Sequence, residues 1–512
     1  MHVPFRLFLR RKLPVCAVAI FLTVLIAIAQ ARPFTVAVYN LENLFDIDGK
    51  SAYDEYQPEH YTAAHLRTKL ENAGRVIALM GEGSKGPDII LFQEVELDQT
   101  PSASPLDCEV LIGRHEREPL SKLLSDPIPA YARDWPAEAW LLKALKERGL
   151  KGYRVIAGED SASIPNEDGR GRAIKNVIFT RFPVRAVRNY PVPNARNIIE
   201  VLMDVDGHPL YVFSNHWKSG AGDPAMERIR MEGARVLRTR LNEILHADPH
   251  ADIIVGGDFN SQYNQKQRNP KMPETAIGDV LRSQGNELAI RGPQADLYNL
   301  WFEVPESERG SDTFKKEWGT LVQLLVSRGL YDCNGVQYVD NSFRVAKYSG
   351  LNEASDGMPI RWSLDGPSGA GFSDHFPIYA RFVTVSDGAK DRWLELRNPS
   401  QGRTPSRVFR VDSPAGDPAS SATIPNPGAN LRDGSFNGKL ILVQGTAIAG
   451  KRLGVEFHDD KWEVYVPDAV LRDRLRASWK SGQKLRFYGQ LGQYKGRWQF
   501  VIEDESWLLG PE

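Results

Sequence analysis

Two hydrophobic rhythms alternate along this chain. Short apolar or alternating runs read as strands: Phe34-Thr-Val-Ala-Val-Tyr39, Ile89-Ile-Leu-Phe92, Leu210-Tyr-Val-Phe213, Ile253-Ile-Val255 and Phe376-Pro-Ile-Tyr379. Asn176-Val-Ile-Phe-Thr180, the stretch 184–206 with its Asp206-Gly207 turn, and 321–326 extend the set. Between them, Leu66, Leu70, Ala73, Ile77 and Met80 recur at helical spacing and predict a helix with one buried stripe over 63–80. Helices are also expected over 137–148 and, longer and amphipathic, over 226–246. Lys69, Arg75 and the arginines of the 226–246 helix are assigned to solvated faces. The polar, Pro-rich stretches 98–170 and 261–315 read as loops that carry substrate choice. Within the second, Tyr263, Asn264 and Asn299 are candidate substrate contacts.

The two ends of the chain follow other patterns. Residues 387–434 are dense in Pro, Ser, Gly, Asn and Arg without periodicity, an exposed linker. Beyond it, strands over 439–443, 453–457, 462–466, 484–488 and 498–502, with a helical turn over 468–478, resemble an OB-fold barrel. Its Trp462, Tyr465, Tyr488, Tyr494 and Trp498 are either stacking platforms for single strands, beside Arg486, Lys495 and Arg497, or core. At the start, Arg6, Arg10, Arg11 and Lys12 precede an apolar run that closes on Ala27-Ile-Ala29. That is the order of a secretory signal, and a membrane anchor is the other reading. Cleavage near Ala29 or Ala31 would make the mature chain secreted or periplasmic.

The length of 512 residues accommodates this layout: a signal peptide over 1–31, a catalytic domain over 32–386, a linker over 387–434 and a barrel over 435–512. Removing the basic leader moves the formal charge from −1 to about −5. A phosphodiester would then need a local basic groove or a metal. Cys108 and Cys333 remain after the leader is lost; whether they pair is open. There is neither a phosphate-cradling Gly-x-x-x-x-Gly-Lys-[Ser/Thr] loop nor a Cys/His zinc pattern.

Candidate chemistry sits at the strand ends: Asn40 and Glu42, Glu94, Asn215-His216, Asp258 and Asn260, and Asp374-His375. Ile253-Ile-Val-Gly-Gly-Asp-Phe-Asn260 is the central element. Side chains two apart on a strand share a face, which would aim Asp258 and Asn260 together, and an Asx turn fits the octapeptide equally. Arg170, Arg172 and Lys175 suit phosphate contacts or a charged hairpin turn.

Tyr39-Asn-Leu-Glu-Asn-Leu-Phe45, Leu91-Phe-Gln-Glu-Val95, Asn215-His-Trp-Lys218, Gly257-Asp-Phe-Asn260 and Ser373-Asp-His-Phe-Pro377 resemble the ordered motifs of the endonuclease/exonuclease/phosphatase superfamily over about residues 34–384. The resemblance implies a four-layer α/β sandwich of two mixed sheets flanked by helices, to which the small OB-like β-barrel is appended. It also implies a metal-dependent phosphodiesterase site with Glu94 as first metal ligand, supplemented by Glu42, Asp374 and Asn40. The ion would be Mg2+, with Mn2+ or Ca2+ as alternatives. Asp258 would deprotonate the attacking water, Asn260 orient water or phosphate, and His216 and His375 stabilise the phosphorane or protonate the leaving oxygen. Asn176, Trp217 and Lys218 join Arg170 and Arg172 as substrate contacts.

One position departs from the family pattern. Where relatives carry Leu-Asp, this chain has Leu321-Val322, so the aspartate that would hold His375 is missing unless another acid, such as Asp332 or Asp340, replaces it. Restoring an aspartate at 322 is expected to raise efficiency about tenfold. The resulting expectation is an exported endonuclease acting on DNA or RNA. Its alternatives are a phospholipid or inositol-phosphate phosphodiesterase or phosphatase, and a catalytically weakened nucleic-acid-binding protein. No obligate protein partner is expected.

Overall fold

The computed structural model describes residues 33–81, 85–100, 107–160, 172–285, 296–332, 334–339, 342–385, 422–426, 428–432, 436, 439–467, 469–494, 497–502 and 507–509. The expected signal segment, Arg170, Cys333, Asp340, Lys495 and most of the 387–434 stretch lie outside the described residues. Cys108 is a buried free thiol. No helix among the described residues is long and apolar enough to cross a membrane.

The larger part of the chain is built on two seven-stranded sheets. The first contains β1 (Pro33–Leu44), β2 (Ile89–Glu96), β3 (Arg154–Ala157) and β4 (Ile174–Thr180). The second begins with β5 (Val184–Tyr190), β6 (Ile198–Val205), β7 (His208–His216) and β8 (Ile253–Asp258), and continues through β9 (Ser283–Gln284) and β10 (Leu297–Asn299). After a separate hairpin, β11 (Asp312–Phe314) and β12 (Glu317–Gly319), β13 (Val322–Val326) returns to it. The chain then closes the first sheet with β14 (Val336–Tyr338), β15 (Arg344–Val345) and β16 (Ile378–Thr384). Strand order is β14-β16-β1-β2-β4-β3 in one sheet, with β15 on β16, and β5-β6-β7-β8-β13-β10-β9 in the other.

Alternation along β1 separates the layers. Val36 and Val38 enter an apolar layer with Leu91, Val212, Ile254 and Leu324, between the sheets. Ala37 and Tyr39 point the other way and pack with Leu70, Ile77, Trp140 and Leu145 from helices Ala63–Leu79 and Ala137–Glu147. On the far side, Phe213, Ile253 and Val255 meet Leu237 and Leu241 of helix Pro224–Ala247. The order is helix, sheet, sheet, helix, a four-layer arrangement. Strands covered on both faces carry near-continuous apolar runs, whereas β5, exposed along most of its length, carries Arg185 and Arg188, charges that blunt an edge.

β1 pairs in parallel with β2, and β7 with β8, so all four strands end on the same side of the sandwich. Gly256 and Gly257 permit the close approach there. A Cβ on Gly256 would lie 2.6 Å from Leu91 Cδ1, and one on Gly257, whose φ is +144°, would lie 2.0 Å from the Asn215 carbonyl oxygen.

The C-terminal module is a closed barrel. β17 (Leu440–Ile448), β18 (Leu453–Phe457), β19 (Asp460–Tyr465), β20 (Lys484–Tyr494) and β21 (Arg497–Val501) pair in the order β17-β18-β19-β21-β20, and β20 pairs back to β17. The short β22 (Leu508–Leu509) adds to β20, and helix Ala469–Ser478 follows β19. Trp462 and Tyr488 are buried in its core, so neither is a stacking platform. Val501 is buried in the apolar cluster between the two seven-stranded sheets, with Tyr465 packed against it.

Candidate functional site

Each strand end brings one polar group to a common point. Asn40, buried in β1 where its register with β2 breaks, is the hub: its Nδ2 donates to Glu94 Oε1 at 3.0 Å and to Asp258 Oδ2 at 2.9 Å. Its Oδ1 accepts from the Glu42 amide at 3.0 Å, and its carbonyl accepts from Ser373 Oγ at 2.7 Å. Both faces of one carboxamide are thereby committed, which fixes two carboxylates against each other.

Glu94 is aimed by an irregularity: the β2–β4 register shifts between Phe92 and Val95, and Glu94 itself has φ +60°. Such a bulge redirects a side chain that regular pleating would point elsewhere. His216 Nε2 lies 3.8 Å from Glu94 Oε1 and 3.9 Å from Asp258 Oδ2. His375 Nε2 lies 3.8 Å from Asp258 Oδ2 and 3.7 Å from Asp374 Oδ1.

Asp258 and Asn260 meet through an Asx turn. The strand ends at Asp258, Asn260 adopts φ +46°, and its amide donates to Asp258 Oδ1 at 2.9 Å. Asn260 Nδ2 then donates to the Trp217 carbonyl at 3.2 Å. The shared-face argument from strand alternation is therefore corrected, because regular strand stops two residues too early.

The two histidines occupy opposite electrostatic surroundings. Burial pushes the His216 pKa well below its ordinary value, and the charges of Arg196 and His375 push it the same way. Burial lowers His375 too, but Asp374, Asp258, Asp312 and Glu94 outweigh it and bring its pKa up to about 9. The pair thus offers a neutral imidazole and a protonated one near neutrality. Glu94 is raised, by burial first and by Asp374 second, against the lowering effect of its bond from Asn40.

Several residues singled out in the sequence are engaged elsewhere. Glu42 turns away from Glu94: Arg361 Nε and Nη2 donate to its Oε1 at 3.0 and 2.7 Å, and the Trp362 amide to its Oε2 at 2.7 Å. Asp374 is partly exposed, with Arg361 Nη2 at 3.4 Å. Arg172 is buried against Asp160 at 2.9 Å, Asn197 at 3.0 Å and the Val192 carbonyl at 2.9 Å, so it is structural. Lys175 is buried and paired with Glu138 at 2.9 Å. Trp217 is 1% exposed and packs edge-on against Phe259; it is core, and only its carbonyl reaches the site. Asn176 is fully buried, its Nδ2 donating to the Asn197 carbonyl at 2.9 Å. Lys218 is half-buried and lines a small cleft with Arg196. Asn299 caps a turn by accepting from the Trp301 amide, and Tyr263 is buried beneath the Arg309 guanidinium.

Of the cations assigned to solvent, Arg75, Arg228 and Arg235 are exposed, whereas Lys69, Arg230 and Arg238 need the same correction. Lys69 is buried, its Nζ donating to the Glu42 carbonyl at 3.1 Å and the Phe372 carbonyl at 2.9 Å, and burial lowers its pKa to about 7. Arg230 is buried on Glu227 and donates to the carbonyls of Lys218, Gly220 and Ala221. It anchors the loop that follows His216. Arg238 is buried as well.

Three contributors escaped the sequence reading. Arg196, half-buried after Pro191-Val-Pro-Asn-Ala195, donates to the Trp217 carbonyl at 3.4 Å and acts electrostatically on Glu94 and His216. Arg361 and Asp312 are the others. Only loop composition marked these positions. Beside Asn260 and Asp312 opens a cavity of about 490 Å³, lined also by Gln262, Arg268, Phe314 and Trp318. A cavity of about 610 Å³ lies at the other ends of β7 and β8, among His208, His250 and Asp252.

Among the described residues, two groups of side chains have the spacing of a single-ion site. One is Glu94, His216 and Asp258, with one ligand atom from each within 4.8 Å of the others; the second is Asp46, Asp48 and Asp98.

Carboxylates, amides and two histidines thus meet on one rim of a mixed double-sheet sandwich. Residues 175–384 match the Endonuclease/Exonuclease/phosphatase family, a family of phosphoester hydrolases. No curated protein matches the sequence. Similar solved structures include an endonuclease/exonuclease/phosphatase from Beutenbergia cavernae, 14% identical with a TM-score of 0.40, covering 83% of this chain and 81% of that one. D. rerio TDP2 complexed with single strand DNA product is 15% identical with a TM-score of 0.36, covering 68% of this chain and 98% of that one. A family protein from Leptotrichia buccalis is 13% identical with a TM-score of 0.37, covering 68% of this chain and 98% of that one.

Proposed function

We propose that this chain is an exported, divalent-metal-dependent phosphodiesterase that cleaves nucleic acid internally. The observation carrying the proposal is the Asn40 amide bridging Glu94 and Asp258 at 3.0 and 2.9 Å, with His216 and His375 within 3.9 Å of Asp258.

The donor set fits a hard divalent ion. Such ions take one or two carboxylates and keep several waters, and Glu94 supplies a carboxylate on which Asp374 is the strongest charged influence. Glu94 would hold the ion with Asp374 nearby, while Glu42, both of whose oxygens are committed, would fix Arg361 instead. Mg2+ is the first candidate, Mn2+ and Ca2+ the alternatives. Bound there, the cation would neutralise phosphoryl charge and stabilise the departing oxygen.

The chain's own groups do the rest. Asp258 accepts a proton from the attacking water, its Oδ2 held by Asn40 and its Oδ1 by the Asn260 amide. His375, protonated near neutrality, donates to a phosphoryl or leaving oxygen. His216, neutral, orients the water or accepts a hydrogen bond. Arg196, Lys218 and Arg361 supply local positive charge to an otherwise acidic mature chain. Half-buried Tyr494 and Trp498 beside Arg497 leave a narrower aromatic surface on the barrel than the sequence suggested.

The test is a hydrolysis screen of the mature chain with supercoiled plasmid, RNA, sphingomyelin and inositol phosphates, each with Mg2+, Mn2+, Ca2+ or chelator. Plasmid nicking that needs metal and is lost in Asp258→Asn is expected. Choline phosphate release without nicking would replace the substrate class, and DNA retention without turnover would leave a binding protein. For export, N-terminal sequencing of secreted protein should begin near Gln30 or Arg32.

A further inference from the structure

Hairpin β11–β12 brings a buried carboxylate to the back of His375. Asp312 and His375 form an antiparallel bridge, and the Phe376 amide donates to the Ser311 carbonyl at 2.6 Å. Backbone pairing therefore sets the two side chains beside each other. Asp312 Oδ1 lies 4.0 Å from His375 Nδ1, and Asp312 is 5% exposed. His375 Nδ1 is itself buried and makes no hydrogen bond in the structure.

The carboxylate is placed by its own contacts. Its Oδ1 accepts from the Leu321 amide at 3.1 Å and from Ser311 Oγ at 3.0 Å, and Ser311 N donates to the Gly319 carbonyl at 2.8 Å. Opposite it, a Cβ on Gly319 would fall 2.0 Å from Asp312 Oδ2. Only glycine leaves the space that the carboxylate fills.

Asp258 and Asp374 face the opposite ring nitrogen, Nε2, at 3.8 and 3.7 Å. Asp332 pairs with His250 at 2.7 Å. Val322 stands opposite Asp258 in the β8–β13 ladder, and its side chain joins the apolar layer between the sheets.

We propose that Asp312 is the positioning residue for His375, holding its Nδ1–H so that Nε2 faces the reacting phosphate. This rests on the hydrolase reading above. A small rotation about the Asp312 side chain closes the 4.0 Å gap to hydrogen-bonding distance, and bonds of this kind are commonly long in ligand-free enzymes. The carboxylate arrives from the hairpin, while Val322 stays in the apolar layer between the sheets. Val322→Asp alone is therefore expected to give no gain, a reversal of the expectation from sequence.

The experiment measures kcat and KM for bis(p-nitrophenyl) phosphate with Mg2+ in wild type, Asp312→Asn, Asp312→Asn/Val322→Asp, His375→Ala and Asp312→Asn/His375→Ala. Asn at 312 keeps an acceptor for the Leu321 amide, and circular dichroism checks the fold. Asp312→Asn should lower kcat by about 10²- to 10⁴-fold with KM nearly unchanged. Adding Val322→Asp should recover about tenfold or more, because the new carboxylate would stand opposite Asp258 in the β8–β13 ladder. In the His375→Ala background, Asp312→Asn should cost nothing further. An unchanged kcat in Asp312→Asn, or an undiminished loss without His375, overturns the assignment. Should wild type hydrolyse no phosphodiester, the hydrolase reading fails separately, and nitrogen-15 spectra of the histidine rings still decide. A protonated, hydrogen-bonded His375 Nδ1 that is lost in Asp312→Asn supports the placement; identical spectra overturn it.

Discussion

Glu42, Glu94 and Asn260 all hold a left-handed backbone, with φ of 47°, 60° and 46°. Conformations of this kind cost a non-glycine residue on the order of 1–3 kcal/mol and persist where surrounding structure imposes them. Here the imposing contacts are the Asn40 hub, the β2 irregularity and the Asx turn at Asp258. Strain is concentrated where strands stop and side chains must converge. If Asp258 takes the proton and Glu94 holds the ion, Asp258→Asn and Glu94→Gln should each lower kcat by about 10²-fold or more with an unchanged circular dichroism spectrum; wild-type turnover in either would remove that residue from the mechanism. Trp217 separates packing from chemistry. Truncation to Ala should cost roughly 3–5 kcal/mol in denaturant titrations, without a selective effect on substrate affinity. Its neighbours His216 and Lys218 made it look like a site residue in the sequence, yet its ring turns into the core with Phe259. Which way a ring points at a strand end depends on what packs behind it, and no local pattern carries that information.

At the scale of elements, loops beside the site are held by buried charges from helices and neighbouring strands. Helix Pro224–Ala247 starts at Asp223, whose side chain accepts from the Ala225 amide, and from its first turns Arg230 reaches three loop carbonyls. Arg230→Met would leave Glu227 buried without its cation, so a loss of about 3–5 kcal/mol is expected by denaturant titration, with reduced turnover as the loop after His216 loosens. An unchanged midpoint would refute it. At the end of β2, Glu96 is buried and accepts from the Asp46 amide at 2.7 Å. Burial is the first cause that pushes its pKa from 4.5 up to about 8; Asp48 and Asp98 add to the rise, while the Asp46 amide and Lys175 oppose it. The folded protein therefore binds a proton there that the unfolded chain releases above pH 4.5. This contribution is complete below that value and is lost as pH rises through about 8. Thermal midpoints in chelator should fall across that window, and Glu96→Gln should flatten the fall. An equal slope in the variant would exclude Glu96 as its source.

For the molecule as a whole, the barrel is both an accessory and a packing partner, since Val501 and Tyr465 contact the layer between the catalytic sheets. Ending the chain at Asp433 should lower the melting temperature by exposing that contact, yet spare hydrolysis of a small phosphodiester. If the barrel binds nucleic acid, the same truncation should weaken binding to plasmid and flatten its salt dependence; an unchanged salt slope would leave the barrel a structural accessory. The sequence by itself determined the alternation of strands and helices, the barrel and the strand ends that carry Asn40, Glu94, His216, Asp258 and His375, while the two-sheet class was implied by the resemblance of its motifs to a known family. These follow from hydrophobic periodicity and short motifs, which act over a few residues and leave a local trace. Tertiary structure alone decided what those strand ends touch. It tied Glu42 to Arg361, buried Lys69, Arg172 and Arg230 under carbonyls and carboxylates, brought Arg196 near Glu94, and laid Asp312 beside His375. A cation on a helix face or an acid in a hairpin has the same local pattern whether it meets water or a buried partner. Its role depends on desolvation and on partners tens to hundreds of residues away, and both exist only once the sheets have packed.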